Sequence, residues 1–347
     1  MEITFVQSLG LFFISLILVG LITPLIRKLA LRLDVVDRPS EAHKTHRDPV
    51  PYLGGIAIVL GVLVTTYGAI ILSGNSKVVG LASTVLIPAV FMSGVGLVDD
   101  IKRLSPWPRF VVQNLVGFVI SVVLVVTDSF GSPTGSKIID LFVSIVWIVG
   151  ITNSINFFDN VDGGASGIVA ISAFFLFLLS IQGTQYLIAS LSIVLAGSTI
   201  GFLLWNKPPA RIYMGDAGAL FLGVLIATLT LRFNPNPIDR ISSLVIPVLL
   251  LAIPILDTTV AVVSRLRRGI SPFQGGQDHL SHRLMRARFS KRQSISILWI
   301  LSTFFALIAI SISYAPFELE RVLTYGTGVL WIIVFLIFIR TRDDSKK

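Results

Sequence analysis

Eleven apolar segments, each long enough to cross a membrane, are the feature of this 347-residue chain that most restricts its fold. A hydrocarbon core about 30 Å thick needs about 20 apolar residues in a helix, and backbone groups in lipid must bond within the segment. The pattern therefore predicts helices rather than open sheet, in an all-α, polytopic integral membrane protein. The predicted spans are 4–26, 51–73, 79–97, 111–127, 138–155, 163–181, 185–204, 217–233, 241–263, 293–314 and 320–340.

Lysine and arginine are divided very unevenly between the breaks that separate these segments. With the N-terminus outside, the inner breaks hold 23 of the 28 cations and the outer breaks hold five. Cytoplasmic loops carry an excess of Lys and Arg, so the count predicts an outer N-terminus and a cytoplasmic C-terminus. Topology also accounts for the net charge of +9, and no nucleic-acid-binding module is visible. The absence of cysteine excludes disulfides and thiolate metal ligands.

Two adjacent acids, Asp99 and Asp100, end the third segment. Neighbouring residues of a helix point about 100° apart, so the two carboxylates cannot share one face. We expect one to face a cavity and the other to cap the helix or pair with Lys102 or Arg103. Ion pairing or termination of the span alone would also account for such a pair.

Four polar residues recur every three positions at the end of the fifth segment: Asn153, Asn156, Asp159 and Asp162. This spacing predicts that they line one helix face. Polar side chains are unfavourable next to lipid, which favours a functional site over a capped helix end with a glycine hinge. Oxygen ligands of this kind suit Mg²⁺ or Mn²⁺.

Two further acids belong to later segments. Asp216 stands between Gly215 and Gly218 at the start of the eighth segment, where it is a candidate metal ligand, although the helix dipole alone favours an acid there. Asp257 falls inside the ninth segment after Pro254. We expect it either to support the site from behind or to bond the backbone that the proline leaves free.

The first inner break, 27–50, combines cations with histidine. Lys44 and His46 lie beside Pro49, followed by two glycines. Lys and Arg bind phosphate by charge and hydrogen bonds, so this cluster fits either a phosphate-binding edge or a membrane anchor.

The largest inner break, 264–293, holds His279, His282 and Arg283 in the string DHLSHRL. Its cations alone would suit anionic lipid. The compact cluster after two glycines favours neutralisation of a diphosphate instead. Two histidines without a third ligand nearby would make a poor zinc site.

The segments that carry these residues match a known family. The chain resembles the polyprenyl-phosphate N-acetylhexosamine-1-phosphate transferases of glycosyltransferase family 4. The resemblance extends over almost the whole chain and rests on five motifs in order, DRPSEAHKTHRDPVPYLGG, VDDIKRLSPWPRFVVQ, NSINFFDNVDGGASG, RIYMGDAGALFLG and SPFQGGQDHLSHRL.

The resemblance implies a single transmembrane transferase domain over residues 1–347 of a bacterial plasma-membrane protein. Its active-site loops would face the cytoplasm, at 27–50, 98–110, 153–163, 205–216 and 264–293. Such an enzyme transfers an N-acetylhexosamine 1-phosphate from a UDP-sugar to undecaprenyl or another polyprenyl phosphate and releases UMP, in the initiation of cell-envelope glycan synthesis. It uses Mg²⁺, with Mn²⁺ as the alternative cofactor, and it contacts membrane lipids. A homodimer is one form in which such an enzyme could assemble.

The same resemblance assigns roles to individual residues. The predicted catalytic residues are Asp99, Asp100, Asp159 and Asp162, with Asp99 as the base for the lipid phosphate. The predicted metal ligands are Asp216 and Asp159. The predicted substrate-binding residues are Lys44, His46, Asn153, Asn156, His279, His282 and Arg283.

The string SPF followed by DHLSHRL resembles the GlcNAc-transferase branch of the family. The alternative branch, which transfers phospho-MurNAc-pentapeptide, has three consecutive histidines. Ser281 departs from the commoner His-x-His-His pattern, so we expect Ser281→His to be tolerated or to shift the choice of sugar.

An anionic-solute transporter is the alternative from another class, but transporter sites lie near the bilayer midplane and these motifs lie at helix ends. Direct displacement and an aspartyl-phosphate intermediate both remain open.

Overall fold

The structure is a bundle of thirteen helices with one short strand pair in the described residues. This computed structural model describes residues 3–37, 50–102, 104–235, 239–272 and 276–341. Its elements are α1 (Phe5–Arg32), β1 (Val36–Asp37), β2 (Val50–Pro51), α2 (Gly54–Ser73), α3 (Ser76–Lys102), α4 (Pro106–Val126), α5 (Lys137–Phe158), α6 (Gly164–Gln182), α7 (Tyr186–Asn206), α8 (Gly215–Arg232), α9 (Arg240–Leu250), α10 (Ala252–Arg267), α11 (Leu280–Arg286), α12 (Lys291–Tyr314) and α13 (Phe317–Arg340).

Ten of these helices are long and apolar enough to cross a membrane, and each overlaps one predicted span. The prediction of an all-α, polytopic membrane protein is confirmed. The ninth predicted span, 241–263, is not one straight helix, because α9 and α10 meet at an angle of 78°.

Proline explains the break between α9 and α10. Pro254 has no N–H, so it cannot donate to the carbonyl of Leu250, one turn earlier. The hydroxyl of Ser172 in α6 donates to that carbonyl at 2.6 Å instead. A polar side chain from a neighbouring helix thus replaces the missing backbone bond, as a break in an apolar environment requires.

The eighth helix forms the centre of the bundle. In α8, 89% of the most apolar window is buried, against 17% in α1 and in α13, which lie at the periphery. Its N-terminal end packs very closely on α2, since a Cβ at Gly55 would lie 2.2 Å from the backbone nitrogen of Gly218. Two glycines facing each other therefore let the start of α8 approach its neighbours.

Two details depart from the predicted pattern near the helix ends. Val36 pairs with Pro51 and Asp37 with Val50 in a two-residue antiparallel ladder that the hydropathy pattern did not predict. The polar stripe is helical only in part, because α5 ends at Phe158.

The end of α5 has a local cause. The side-chain amide of Asn160 donates to the carbonyl of Phe157 at 2.6 Å, and Gly163 follows with a φ of +72°. Asn153 and Asn156 are therefore in the helix, Asp159 is its C-terminal cap, and Asp162 lies in the turn to α6. The prediction of one continuous helix face for all four residues is wrong.

Candidate active site

A cavity of about 1130 Å³ opens at the end of the bundle where α3, α5 and α8 meet the segment before α12. Its most distinctive wall residues are seven aspartates, Asp34, Asp37, Asp99, Asp100, Asp159, Asp162 and Asp216. Among the described lining residues, Lys291 is the one lysine and His282 the one histidine. All the predicted catalytic and metal-binding aspartates are thus brought to one acidic cavity, although they come from three separate parts of the chain.

Asp100 holds the start of α8 against the end of α3. Its carboxylate accepts hydrogen bonds from the backbone N–H groups of Asp216, at 2.8 Å, and Ala217, at 3.1 Å. These groups belong to the first turn of α8, where a helix has no partners of its own for them. Gly215 precedes them with a φ of +74°, and a Cβ there would lie 2.6 Å from the Asp100 carboxylate. One member of the Asp pair was predicted to cap its own helix. Asp100 is indeed a cap, but it caps the start of α8 rather than the end of α3.

Arg109, in the first turn of α4, bridges two acids from different helices. Its Nη1 donates to Oδ2 of Asp99 at 2.5 Å and also to Oδ2 of Asp216. Asn156 donates from Nδ2 to the other Asp216 oxygen at 2.7 Å. The backbone N–H of Leu104 donates to Oδ1 of Asp99 at 2.7 Å. Both oxygens of Asp99 and both oxygens of Asp216 are thus oriented by named donors.

The turn after α5 places two more carboxylates on the cavity wall. Asp162 accepts from the backbone N–H of Ala210 at 3.0 Å and pairs with Nζ of Lys291 at 2.8 Å. Burial, followed by the nearby charges of Asp216, Asp100 and Asp162, raises the pKa of Asp159 well above its ordinary value. The acids that line the cavity therefore outnumber its cations. This excess of acids contributes to the raised pKa of Asp159.

The carboxylate of Asp257, fully buried in α10, anchors the histidine segment. Its Oδ2 lies 2.7 Å from Nδ1 of His279, and its Oδ1 accepts from the N–H of Leu280 at 2.7 Å. Nε2 of His279 faces Nη2 of Arg265 at 3.3 Å. His279 is thus buried with both ring nitrogens engaged, and it does not line the cavity. Of the two roles left open for Asp257, the structure shows support from behind rather than a bond at the Pro254 break.

Asp278 fixes the same segment to α10 from its other side. Its Oδ2 accepts from Nε of Arg265 at 2.8 Å, and its Oδ1 accepts from Nη2 of Arg268 at 2.6 Å. Burial acts to raise the pKa of Asp278, but the bonds from the two guanidinium groups outweigh it and lower the pKa below its ordinary value. The acid is therefore charged, and the segment that leads into α11 has a defined position.

The short helix α11 presents His282 to the cavity and buries its two neighbours. Ser281 is 1% exposed and donates to Oδ1 of Asn160 at 2.7 Å, which joins α11 to the turn after α5. Arg283 is fully buried and donates to the carbonyls of Phe338 and Thr341, so it joins α11 to the end of α13. The structure does not bring Arg283 to the cavity. Burial, with nearby cations, lowers the pKa of His282 to about 4.

Asn153, another predicted substrate-binding residue, lies apart from this group. Asn153 donates to Gln113 and to the carbonyl of Val149, both at 2.8 Å, and does not line the cavity, whereas Asn156 does. Lys44 and His46 fall outside the described residues.

Sequence reasoning did not single out two cations of the site, Arg109 and Lys291. The expected partners of the Asp pair were Lys102, which is exposed, and Arg103, which lies outside the described residues. A sequence signal did exist for Lys291, because a Ser and a Gln three residues apart form a capping box. Ser290 accepts from the N–H of Gln293 at 3.3 Å and fixes the start of α12, which places Lys291 in its first turn.

Oxygen atoms dominate the groups that could hold a metal ion. Among the described residues, no three His, Asp or Glu side chains already lie close enough together to enclose one. Asp216 and Asp159 nevertheless face the same cavity and offer carboxylate oxygens, the ligand type that Mg²⁺ prefers.

Known proteins resemble this chain over most of its length. The glycosyl transferase family 4 model matches residues 82–234. A probable undecaprenyl-phosphate N-acetylglucosaminyl 1-phosphate transferase of Bacillus subtilis (strain 168) is 32% identical over 94% of this chain and 87% of the relative. A decaprenyl-phosphate N-acetylglucosaminephosphotransferase of Mycobacterium leprae is 29% identical over 98% of this chain and 94% of the relative. An undecaprenyl-phosphate alpha-N-acetylglucosaminyl 1-phosphate transferase of Yersinia pestis is 27% identical over 90% of this chain and 85% of the relative.

These similarities confirm the family that five sequence motifs had predicted. They extend well beyond the matched region 82–234 and include the segments that carry the histidines. The chain belongs to the polyprenyl-phosphate N-acetylhexosamine-1-phosphate transferases of glycosyl transferase family 4.

Proposed function

We propose that this protein transfers N-acetylglucosamine 1-phosphate from UDP-GlcNAc to undecaprenyl phosphate or another polyprenyl phosphate and releases UMP. The names of its relatives support this sugar and this class of acceptor. The observation that carries the proposal is the acidic cavity at the ends of membrane-spanning helices. At that depth a phosphate on a lipid tail can meet a water-soluble sugar nucleotide.

The reaction joins two phosphate groups that repel each other. An oxygen of the lipid phosphate attacks the β-phosphorus of the UDP-sugar, and the bond from that phosphorus to the bridging oxygen breaks. The bridging oxygen leaves with UMP, and the sugar 1-phosphate remains on the lipid as a diphosphate. Catalysis of such a step depends mainly on positioning and on neutralisation of charge.

The acidic cavity fits a divalent cation of the Mg²⁺ type. Mg²⁺ is commonly held by one or two carboxylates together with substrate phosphates rather than by a cage of protein ligands. Asp216 and Asp159 would hold it, since both face the cavity and offer carboxylate oxygens. When bound, the ion would neutralise phosphate charge, and Mn²⁺ would suit the same oxygens.

Asp99 and Arg109 fit complementary roles at the acceptor phosphate. Asp99 is the proposed base, and its carboxylate is already oriented by Arg109 and by the N–H of Leu104. Arg109 presents a guanidinium at the same point, and this group suits a phosphate because its N–H donors match the phosphate oxygens. The proposal therefore places the attacking oxygen near the pair of Asp99 and Arg109.

The donor side of the cavity would involve α11. His282 lines the cavity, and a pKa of about 4 keeps its ring neutral near pH 7, so it would act as a hydrogen-bonding group rather than as a cation. Lys291 would supply positive charge to the same cavity. His279 would not contact the donor, but its bond to Asp257 would hold α11, and with it His282, in position. Asn156 would hold Asp216 in place.

We further propose that the cavity faces the cytoplasm. The support is the division of Lys and Arg, with 23 of 28 in the breaks on the side of the motifs. UDP-sugars are made in the cytoplasm, so this orientation gives the donor direct access.

The donor is tested with membranes that contain the protein, undecaprenyl phosphate and a panel of radiolabelled UDP-sugars. We expect label from UDP-GlcNAc to enter the lipid fraction with equimolar release of UMP. Preferential transfer from UDP-MurNAc-pentapeptide would favour the other branch of the family. Transport of label into vesicles without a lipid product would favour the transporter hypothesis.

A further inference from the structure

Four cations lie at the ends of α1 and α7 that face the proposed cytoplasmic side. Arg27 and Lys28 come from the last turns of α1, whereas Lys207 and Arg211 follow the end of α7. Arg27 donates its Nε–H to the carbonyl of Arg211 at 2.9 Å, which brings the two guanidinium-bearing segments together. We call these four residues the basic seam.

The positive charge of the basic seam is not neutralised by any residue that the structure describes. Among the residues that the structure describes, no carboxylate forms an ion pair with any member of the seam. Lys28, Lys207 and Arg211 are exposed, and Arg27 is half-buried with only its Nε engaged by a described residue. These exposed ammonium and guanidinium groups therefore suit an anionic partner.

The helices beneath the seam form a surface for lipid tails. Leu21, Leu25 and Leu204 are 67%, 62% and 51% exposed, as expected of residues that face hydrocarbon. The two helices approach closely one turn deeper, where a Cβ at Gly201 would lie 2.3 Å from the carbonyl oxygen of Leu16. Small residues at such a crossing let transmembrane helices pack at short distance.

A tryptophan marks the level at which this apolar surface meets the cations. The indole N–H of Trp205 donates to the carbonyl of Gly20 at 2.9 Å, so the ring is fixed between α1 and α7. The guanidinium of Arg211 lies 5.7 Å from the centre of that ring. Tryptophan is enriched at the depth of lipid headgroups, so the seam lies where a phospholipid phosphate would be.

We propose that the basic seam binds an anionic phospholipid of the inner leaflet, with its phosphate against Arg27 and Arg211 and its acyl chains along Leu21, Leu25 and Leu204. Basic pockets between transmembrane helices on the cytoplasmic side bind anionic headgroups in this way. Arg27 and Arg211 supply donors that match phosphate oxygens, and the lysines add charge. The lipid is distinct from the acceptor substrate, because the seam does not line the acidic cavity.

The test is native mass spectrometry of the full-length protein in detergent, titrated with phosphatidylglycerol. Lys207→Gln/Arg211→Gln removes two exposed cations that donate no side-chain hydrogen bond to a described residue, and we expect about tenfold weaker binding. Arg267→Gln/Arg288→Gln is the matched control, because it removes two exposed cations from the largest inner loop. The control should bind as the wild type does. Equal loss in both variants, or no loss in either, would overturn the proposal.

Two further arms separate the lipid sources. Phosphatidylcholine should bind the wild type weakly, and its retention should be unchanged in Lys207→Gln/Arg211→Gln. Undecaprenyl phosphate should bind without displacing phosphatidylglycerol. Displacement that is lost in Lys207→Gln/Arg211→Gln would assign the seam to the acceptor lipid and contradict the proposal.

Discussion

The guanidinium of Arg109 connects Asp99 to Asp216, with Nη1 at 2.5 Å from Oδ2 of Asp99 and in contact with Oδ2 of Asp216. The proposed base and a proposed metal ligand therefore share one cation. Because the three residues come from α3, α4 and α8, this contact also fixes the relative positions of three helices at the cavity.

Removing the guanidinium of Arg109 is expected to tighten the binding of a divalent cation in the absence of substrates. The ion would compete with Arg109 for the Asp216 carboxylate, so Arg109→Gln should lower the dissociation constant for Mn²⁺ by about tenfold. Electron paramagnetic resonance of free Mn²⁺ measures this constant. Lys102→Gln, which removes an exposed cation at the end of α3, is the control and should bind as the wild type does. Unchanged or weaker binding in Arg109→Gln would show that the two cations do not compete.

Replacing Asp257 is expected to release the histidine segment from α10. Asp257 is fully buried and accepts from both His279 and Leu280, so Asp257→Asn leaves one donor facing an amide hydrogen and should cost about 2 kcal/mol of stability. The Michaelis constant for the UDP-sugar should rise, because His282 loses its position. Thermal unfolding and initial rates measure the two effects, with the exposed Asp128→Asn as the control. A wild-type Michaelis constant in Asp257→Asn would rule out this anchoring role.

The sequence predicts that Ser281→His is tolerated or shifts the choice of sugar, but the structure argues against toleration. The side chain is 1% exposed and bonded to Asn160, so an imidazole would have to displace packed neighbours. Ser281→His should lower the thermal midpoint by several degrees, whereas Ser281→Ala should lose only about 1 kcal/mol with its hydrogen bond. Differential scanning of the purified variants tests this. A midpoint for Ser281→His at the wild-type value would restore the original expectation.

His282 is expected to make the folded protein less stable in acid. Its pKa is lowered from 6.5 to about 4 by burial and nearby cations, so the folded state binds fewer protons than the unfolded state between these values. Stability contributed by the neutral ring is therefore present above pH 6.5 and is lost as the pH falls toward 4. The midpoint of His282→Gln should fall less than that of the wild type between pH 7 and pH 5. Identical losses in the two proteins would contradict the shifted pKa.

Hydropathy predicted the membrane-spanning helices, because span length follows from the thickness of the bilayer rather than from detailed packing. The 78° bend between α9 and α10 was not predicted, since it depends on Ser172, a residue of a distant helix, to satisfy the Leu250 carbonyl. Helical periodicity likewise could not show that α5 ends at Phe158.

In the site, too, some features could be predicted from the sequence and others depend on contacts between distant segments. Its aspartates could be found from their positions at helix ends, and the structure brings them to one cavity. The burial of His279 and Arg283 could not be found this way, because it follows from contacts with Asp257 and with the end of α13. Arg109 was missed for a related reason, since its partners Asp99 and Asp216 lie on two other helices.

Transfer of GlcNAc 1-phosphate at the cavity is measured most directly with purified protein, labelled UDP-GlcNAc, undecaprenyl phosphate and Mg²⁺. The wild type should form labelled lipid, and Asp216→Asn should lose about a hundredfold or more in rate while its thermal midpoint stays close to that of the wild type. The exposed Asp128→Asn serves as the control for the charge change. A folded wild type that forms no labelled lipid, or an Asp216→Asn variant within about tenfold of its rate at saturating Mg²⁺, would contradict the proposed function of this cavity.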